Sequence, residues 1–422
     1  MANQTSNSPD TRNAGTPVFF PKRTYTITSK KYGEPTFTNA PYTIAPGGRL
    51  KDIELLLTTG NTPVAGGHVS LMIPDDFKYA DGLSGKRDFV TDAGGRVSIS
   101  GVKGTPVPGP YTLIASSGAK TAKADVTVTA LGPVGSIPVG KNPWNIAVSP
   151  DGARAYVCNS YGESVSVIDT ATNRVMADIP TGKAKGVGFS PDSKRAYVSG
   201  AEDTVLVIDT ATNKVLQTVA VGMRPSGVAV SPDGSRAYVC NEADKTVSVI
   251  DTATNGVLTT IPVGGQPHDV AFNPDGTLAY ITCGGSLSVW LIDTVTYQVQ
   301  QGIEFDYRSY YVAISLDGTR VFVSQDQSEK VWVFNAAIDQ VLAQIEVPRN
   351  PGGLALSPDG SVIYVCSGVG KVVSVIDTET YQVRRNIPVG EFPLGIAVSK
   401  DGSLAYVTQF SDNTVSVIEL QV

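Results

Sequence analysis

The sequence predicts an all-β protein: a closed ring of seven four-stranded blades preceded by a smaller β-sandwich. Three observations carry this. Two turn markers recur seven times each in strict alternation, the segments between them alternate apolar and polar residues with a period of two, and no segment sustains a helical period. The 422 residues include 43 Gly and 27 Pro, enough turn-formers to end many short strands. Charged residues make up 17% and the hydrophobic set 41%, far from the composition of disordered chains. No stretch approaches the roughly 18 apolar residues of a membrane helix, and Gly shows no period of three, which excludes a helical membrane protein and a collagen-like chain.

At the N-terminus, residues 1–16 are polar and read as disordered. They hold no basic-then-apolar signal segment, which leaves the cytoplasm open alongside other routes of export. Residues 17–131 contain strand-like runs such as "RTYTITS", "DIELLLTT", "HVSLMIP", "GRVSIS", "YTLIAS" and "ADVTVTA", separated by "APGG", "DAGG" and "VPGP" turns. Six or seven short strands in this span predict a sandwich. Through residue 131 there are 14 Lys and Arg against 10 Asp and Glu, whereas the remainder has 19 against 29. The short connection "TALGPVG" predicts that the two domains touch.

From residue 132 onward the repeat takes over. Pro-Asp-Gly or a close variant places Asp at 151, 192, 233, 275, 317, 359 and 401. "VIDTATN" or a variant places its acidic position at 169, 209, 251, 293, 377 and 419, with Asn at 335. In Ser-Pro-Asp-Gly, Pro presets φ and Gly closes the turn. Four strands in each unit of about 40 residues make a propeller blade. The last copy ends on its third strand, and the matching fourth strand, "GPVGSIPVG", precedes the first copy. Strand 134–139 therefore closes the ring against 413–419, which removes an exposed sheet edge.

"RAYVCN", "IAVSPDG" and "VSVIDTATN" resemble the YVTN-type β-propeller repeat of surface-layer and YncE-like proteins, over roughly residues 132–422. "PVAGGHVSLMIPDDF" and "FVTDAGGRVSISGVKGTPVPGPYTLIASSG" resemble bacterial Ig-like domains of the invasin or adhesin kind. These resemblances imply a cell-surface, periplasmic or secreted setting.

Enzyme signatures are scarce: there is no G-x-S-x-G elbow, no H-E-x-x-H pair and no Walker loop. No catalytic residue, metal ligand or cofactor is assigned. The repeated Asp residues belong to turns, where a carboxylate accepts local hydrogen bonds. Of the two histidines, His68 falls in a sandwich strand and reads as structural. Cys158, Cys240, Cys283 and Cys366 lack C-x-x-C spacing and read as free, buried thiols.

Function should lie where the repeats disagree. The loops leading into the innermost strands carry Lys141, Lys183, Lys185, Arg224, Arg308 and Arg349 against Asp269, Asp306 and Glu391, with Trp144, Tyr307, Tyr310, Tyr311 and Phe392 among them. The candidate binding residues are Trp144, Lys185, Arg224, His268, Asp269, Arg308, Tyr310, Tyr311 and Arg349. They predict a site at the channel mouth for a protein, a glycan or a small anionic ligand. Trp290 and Trp332 read as packing between blades four and five. The leading functional reading is a non-enzymatic binding protein. One alternative is a metal-assisted lactonase or lyase of propeller architecture, with His268, Asp269, Asn145, Asn159 and Asn241 as donors. Another is single-stranded nucleic-acid binding, against which the acidic propeller argues.

Overall fold

The computed structural model describes residues 23–24, 34–44, 50–104, 109–128, 132–337 and 340–420. Segment 1–16 and residues 129–131 of the connection lie outside the described residues. The chain divides into two compact units, 1–131 and 132–422, and all regular structure among the described residues is β.

In the first unit, alternating side chains of Ile53–Thr59 and His68–Ile73 turn Leu55, Leu57, Val69 and Leu71 inward. Two sheets enclose this core. One runs 42–44, 120–128, 109–117, 68–73, 85–90 in spatial order, and the other joins 34–37, 53–59, 62–63 and 96–99. Phe77 and Tyr111 meet edge to face at 5.2 Å within the core. His68 is exposed at the start of its strand.

The second unit is a seven-bladed β-propeller. Blade one comprises Pro143–Val148, Arg154–Asn159, Ser164–Asp169 and Arg174–Pro180, all antiparallel. Blades two to six repeat this pattern, with innermost strands at 187–189, 225–230, 267–272, 309–314 and 351–356. Blade seven takes three strands from 393–398, 404–409 and 414–419 and its outermost strand from Pro133–Pro138, with Ile137 opposite Val415. The seven innermost strands neighbour one another in a complete circle, blade seven beside blade one.

The repeated residues hold each blade and tie it to the next. At the Pro-Asp-Gly turns, Asp151, Asp233 and Asp359 each accept a serine hydroxyl at 2.5 Å. These bonds, with added backbone donors, hold Asp233 and Asp359 down at about 2. Between blades, the Tyr156, Tyr197 and Tyr406 hydroxyls donate to Asn213, Asn255 and Asn173 of the following blade. Tyr238 breaks this series. Its expected acceptor position holds Tyr297, and its buried hydroxyl has no hydrogen-bond partner among the described residues. Trp332 packs between blades four and five as expected, edge-on to Phe305 at 5.2 Å. Trp290 instead joins the cluster between blades three and four, because its ring covers Gly264 and donates to Ser286.

Candidate functional site at the channel mouth

Two consecutive positions in each innermost strand, or just before it in blade two, build the mouth. The first, around the ring, is Trp144, Lys185, Ser226, His268, Tyr310, Gly352 and Leu394; the second is Asn145, Gly186, Gly227, Asp269, Tyr311, Gly353 and Gly395. Glycine dominates the second position because the strands converge there. A Cβ on Gly186 would stand 2.1 Å from the Ser226 carbonyl, and one on Gly227 would stand 2.6 Å from that of His268. Where side chains do occur, they crowd the bore. Tyr311 is 6% exposed, and its buried hydroxyl has no hydrogen-bond partner among the described residues.

Aromatic side chains gather at the mouth. The His268 and Tyr310 rings lie 3.8 Å apart, and the Trp144 ring lies 6.5 Å from His268, 6.4 Å from Tyr310 and 5.7 Å from Phe410. Trp144 of blade one thus reaches residues of blades four, five and seven. The Lys185 ammonium sits 5.2 Å over its indole and 3.0 Å from Glu242, whose other oxygen lies 3.4 Å from Arg224.

This packing sets the electrostatics. Burial lowers His268 to about 4, and the Lys185 ammonium adds to the effect, so the imidazole is neutral at pH 7. Burial raises Asp269 to about 7 against opposing hydrogen bonds from the Val312 and Val270 amides. Glu242 is pushed up by burial, but the Lys185 ammonium and its hydrogen bond outweigh this and hold it below its ordinary value.

Trp144, Lys185, His268, Asp269, Tyr310 and Tyr311 converge on the mouth or the bore beneath it. Arg224 joins through Glu242. Arg308 and Arg349 stay exposed on the rim with no ion pair among the described residues. Tyr311 is packed in the bore and offers no open stacking face. The expected excess of positive charge does not persist at the mouth. Loops after the second strands share this rim and bring Glu202, Asp203 and Glu242 beside the cations, and Asp326 to the side of Tyr310. Counting only the lead-in loops missed these carboxylates, along with Tyr161 and Phe410. The second loop of each repeat, read against its neighbours, is the sequence signal for them.

Trp144 walls two cavities. One, of about 450 Å³, lies among blades one to three and is lined by Trp144, Tyr161, Lys183, Lys185, Asp203 and Arg224, among others. Lys183 and Lys185 in its wall belong to the lead-in of blade two, whose innermost strand has three residues, Val187–Phe189, against six in its neighbours. Gly200 and Ala201 add little bulk there. The other, of about 230 Å³, is mostly apolar, with Tyr310, Phe392, Leu394 and Phe410 in its wall.

No group of three or more His, Cys, Asp or Glu among the described residues is placed to hold a metal ion. Asn159 and Asn241 are buried, and their amides donate to Ser166 and Ser248 inside the blades, while Asn145 accepts the Ile146 amide. No helix among the described residues is long and apolar enough to cross a membrane.

Comparison with known proteins bears on the propeller. Residues 156–274 match the profile of the cytochrome D1 heme domain family. Over 115 residues the chain is 36% identical to the seven-bladed beta-propeller protein Rv1057 of Mycobacterium tuberculosis, a match covering 26% of this chain and 29% of that protein. The chain thus spans less than a third of the length of this relative. A solved structure of Kuenenia stuttgartiensis hydrazine synthase superposes with a TM-score of 0.62 at 24% identity, covering 67% of this chain and 97% of that one. That likeness concerns the fold alone.

The mouth does not fit a haem. The macrocycle needs a flat apolar slot with an axial donor over the iron. His268, the sole histidine of the propeller, is 9% exposed beneath Tyr310, and Trp144 stands between the two cavities where a slot would open.

Proposed function

We propose that this chain is a non-enzymatic binding protein of the cell envelope or extracellular space. Its propeller is of the YVTN kind, its first unit an Ig-like domain, and its ligand surface the channel-mouth rim. One observation carries this reading: the cavity of about 450 Å³ lies where the repeat departs from its own pattern, walled by residues that other blades lack. Residues present in every blade are accounted for by turns and inter-blade ties. Trp144, Tyr161 and Lys183 have no such duty, and aromatic walls with a few placed polar groups are the usual make-up of a ligand site. The heme domain and hydrazine synthase names belong to those relatives, and the crowded His268 gives no ground for carrying their chemistry over.

The test is ligand-observed NMR with a mixed library of saccharides, carboxylates, nucleotides and short peptides. Wild type is compared with a Trp144→Ala, Lys183→Ala double variant of matched melting temperature. Compounds that bind the wild type and lose at least tenfold in the variant support the reading. Absence of any rim-dependent binder overturns it. Lactone turnover abolished by His268→Ala would support the enzymatic alternative.

A further inference from the structure

Resting on the rim as the binding surface, we infer that the cavity of blades one to three takes a neutral saccharide of one or two rings rather than an anion. Its size falls in the range of small-ligand sites, about 300–1,000 Å³. Its charge is what excludes the anion. Lys183, Lys185 and Arg224 enter the cavity, but so do Glu202 and Asp203, and Glu242 already engages both Lys185 and Arg224. An added carboxylate or phosphate would face these carboxylates, and an added cation would face three basic side chains. Either would meet like charge together with its counter-charge, so the lost hydration is only partly replaced.

A polyhydroxylated ligand meets no such conflict, because each hydroxyl both donates and accepts. The Lys183 ammonium can donate to ring oxygens, and the Glu202 carboxylate can accept from ring hydroxyls; both charges lack an ion-pair partner among the described residues. Tyr161 supplies an apolar ring face for the C–H side of a pyranose, and Trp144, with Lys185 over its indole, walls the cavity beside it. Tyr161 is 65% exposed, with the Lys183 ammonium 5.9 Å from its ring centre, so an aromatic surface and a hydrogen-bond donor stand together at the opening.

The test is calorimetric titration of the full chain with cellobiose, maltose and N,N′-diacetylchitobiose. Glucuronate, citrate and glycine betaine serve as charged and zwitterionic comparators, each at low and at moderate salt. At least one neutral disaccharide should bind with an affinity that salt changes less than twofold, since no charge pairing drives it. Tyr161→Ala and Lys183→Ala, both on the surface, should each weaken that binding at least tenfold. Lys194→Ala on the opposite rim should leave it unchanged. Binding of glucuronate, citrate or betaine alone, or a tenfold loss of affinity with salt, would overturn the inference. So would disaccharide binding indifferent to Tyr161→Ala, or no binding of any disaccharide. In that last case a rim-dependent binder from the NMR library would still uphold the broader reading, so the two fail separately.

Discussion

Equivalent residues in different blades face different partners, and their energetics differ accordingly. The Tyr156 hydroxyl donates to Asn213 at 2.8 Å, whereas that of Tyr238 is buried with no partner among the described residues. Removing a made hydrogen bond costs about 1 kcal/mol, but removing an unsatisfied buried hydroxyl is near neutral or stabilising. Tyr156→Phe should therefore lower unfolding stability by about 1 kcal/mol while Tyr238→Phe leaves it level or raises it, read by urea denaturation; equal losses would refute this. A second prediction concerns Asp269 and His268. Asp269 is raised to about 7 in the folded protein, so its stabilising contribution is complete below its unfolded value of 3.8 and is lost as pH rises through 7. His268 is lowered to about 4, so its contribution is complete above 6.5 and is lost as pH falls through 4. The two slopes oppose each other from about pH 4 to 6.5, which flattens the native profile. Asp269→Asn leaves the histidine slope unopposed, and stability should then rise with pH across that window by up to about 1.4 kcal/mol per unit. An unchanged slope in denaturant titrations at several pH values would count against it.

Among the elements, the strand Pro133–Pro138 has the largest consequence for its length. It precedes the first blade in sequence yet completes the last, pairing residue by residue with Thr414–Glu419. Without it, 414–419 becomes an open sheet edge and Ile137 leaves the core it shares with Ile146, Tyr406 and Val415. A chain starting at Gly132 should keep the propeller's melting temperature. One starting at Lys141 should melt about 10 °C lower or aggregate. Equal melting of the two would remove the closing role. The innermost strand of blade two is the opposite case, short in regular structure, with Lys183 and Lys185 of its lead-in lining a cavity. Its lead-in "TGKAKG" lacks the Pro that begins this strand in most blades, so the departure is readable in the sequence. That a space lies beside Trp144 is not, because the walls come from three blades.

Across the whole molecule, local chemistry and ring geometry divide the determination. All four cysteines are free and buried, and burial raises their thiols above the ordinary value. A thiol reagent should find none in the native protein and four after denaturation, and early partial reactivity would point to a blade that opens alone. The sequence alone specifies blade number, strand order, the turns and the closing strand, because each depends on neighbours in the chain or on a pattern repeated seven times. It also marked the mouth positions Trp144, Lys185, His268 and Tyr310 as places where repeats differ. It did not determine the charge of that mouth. Only the folded ring brings the loop after one strand pair beside the lead-in of another blade, setting Glu242 against Lys185, 57 residues away. Coulomb energy depends on distance through space. A tally along the chain therefore saw an excess of cations where the ring holds both signs together.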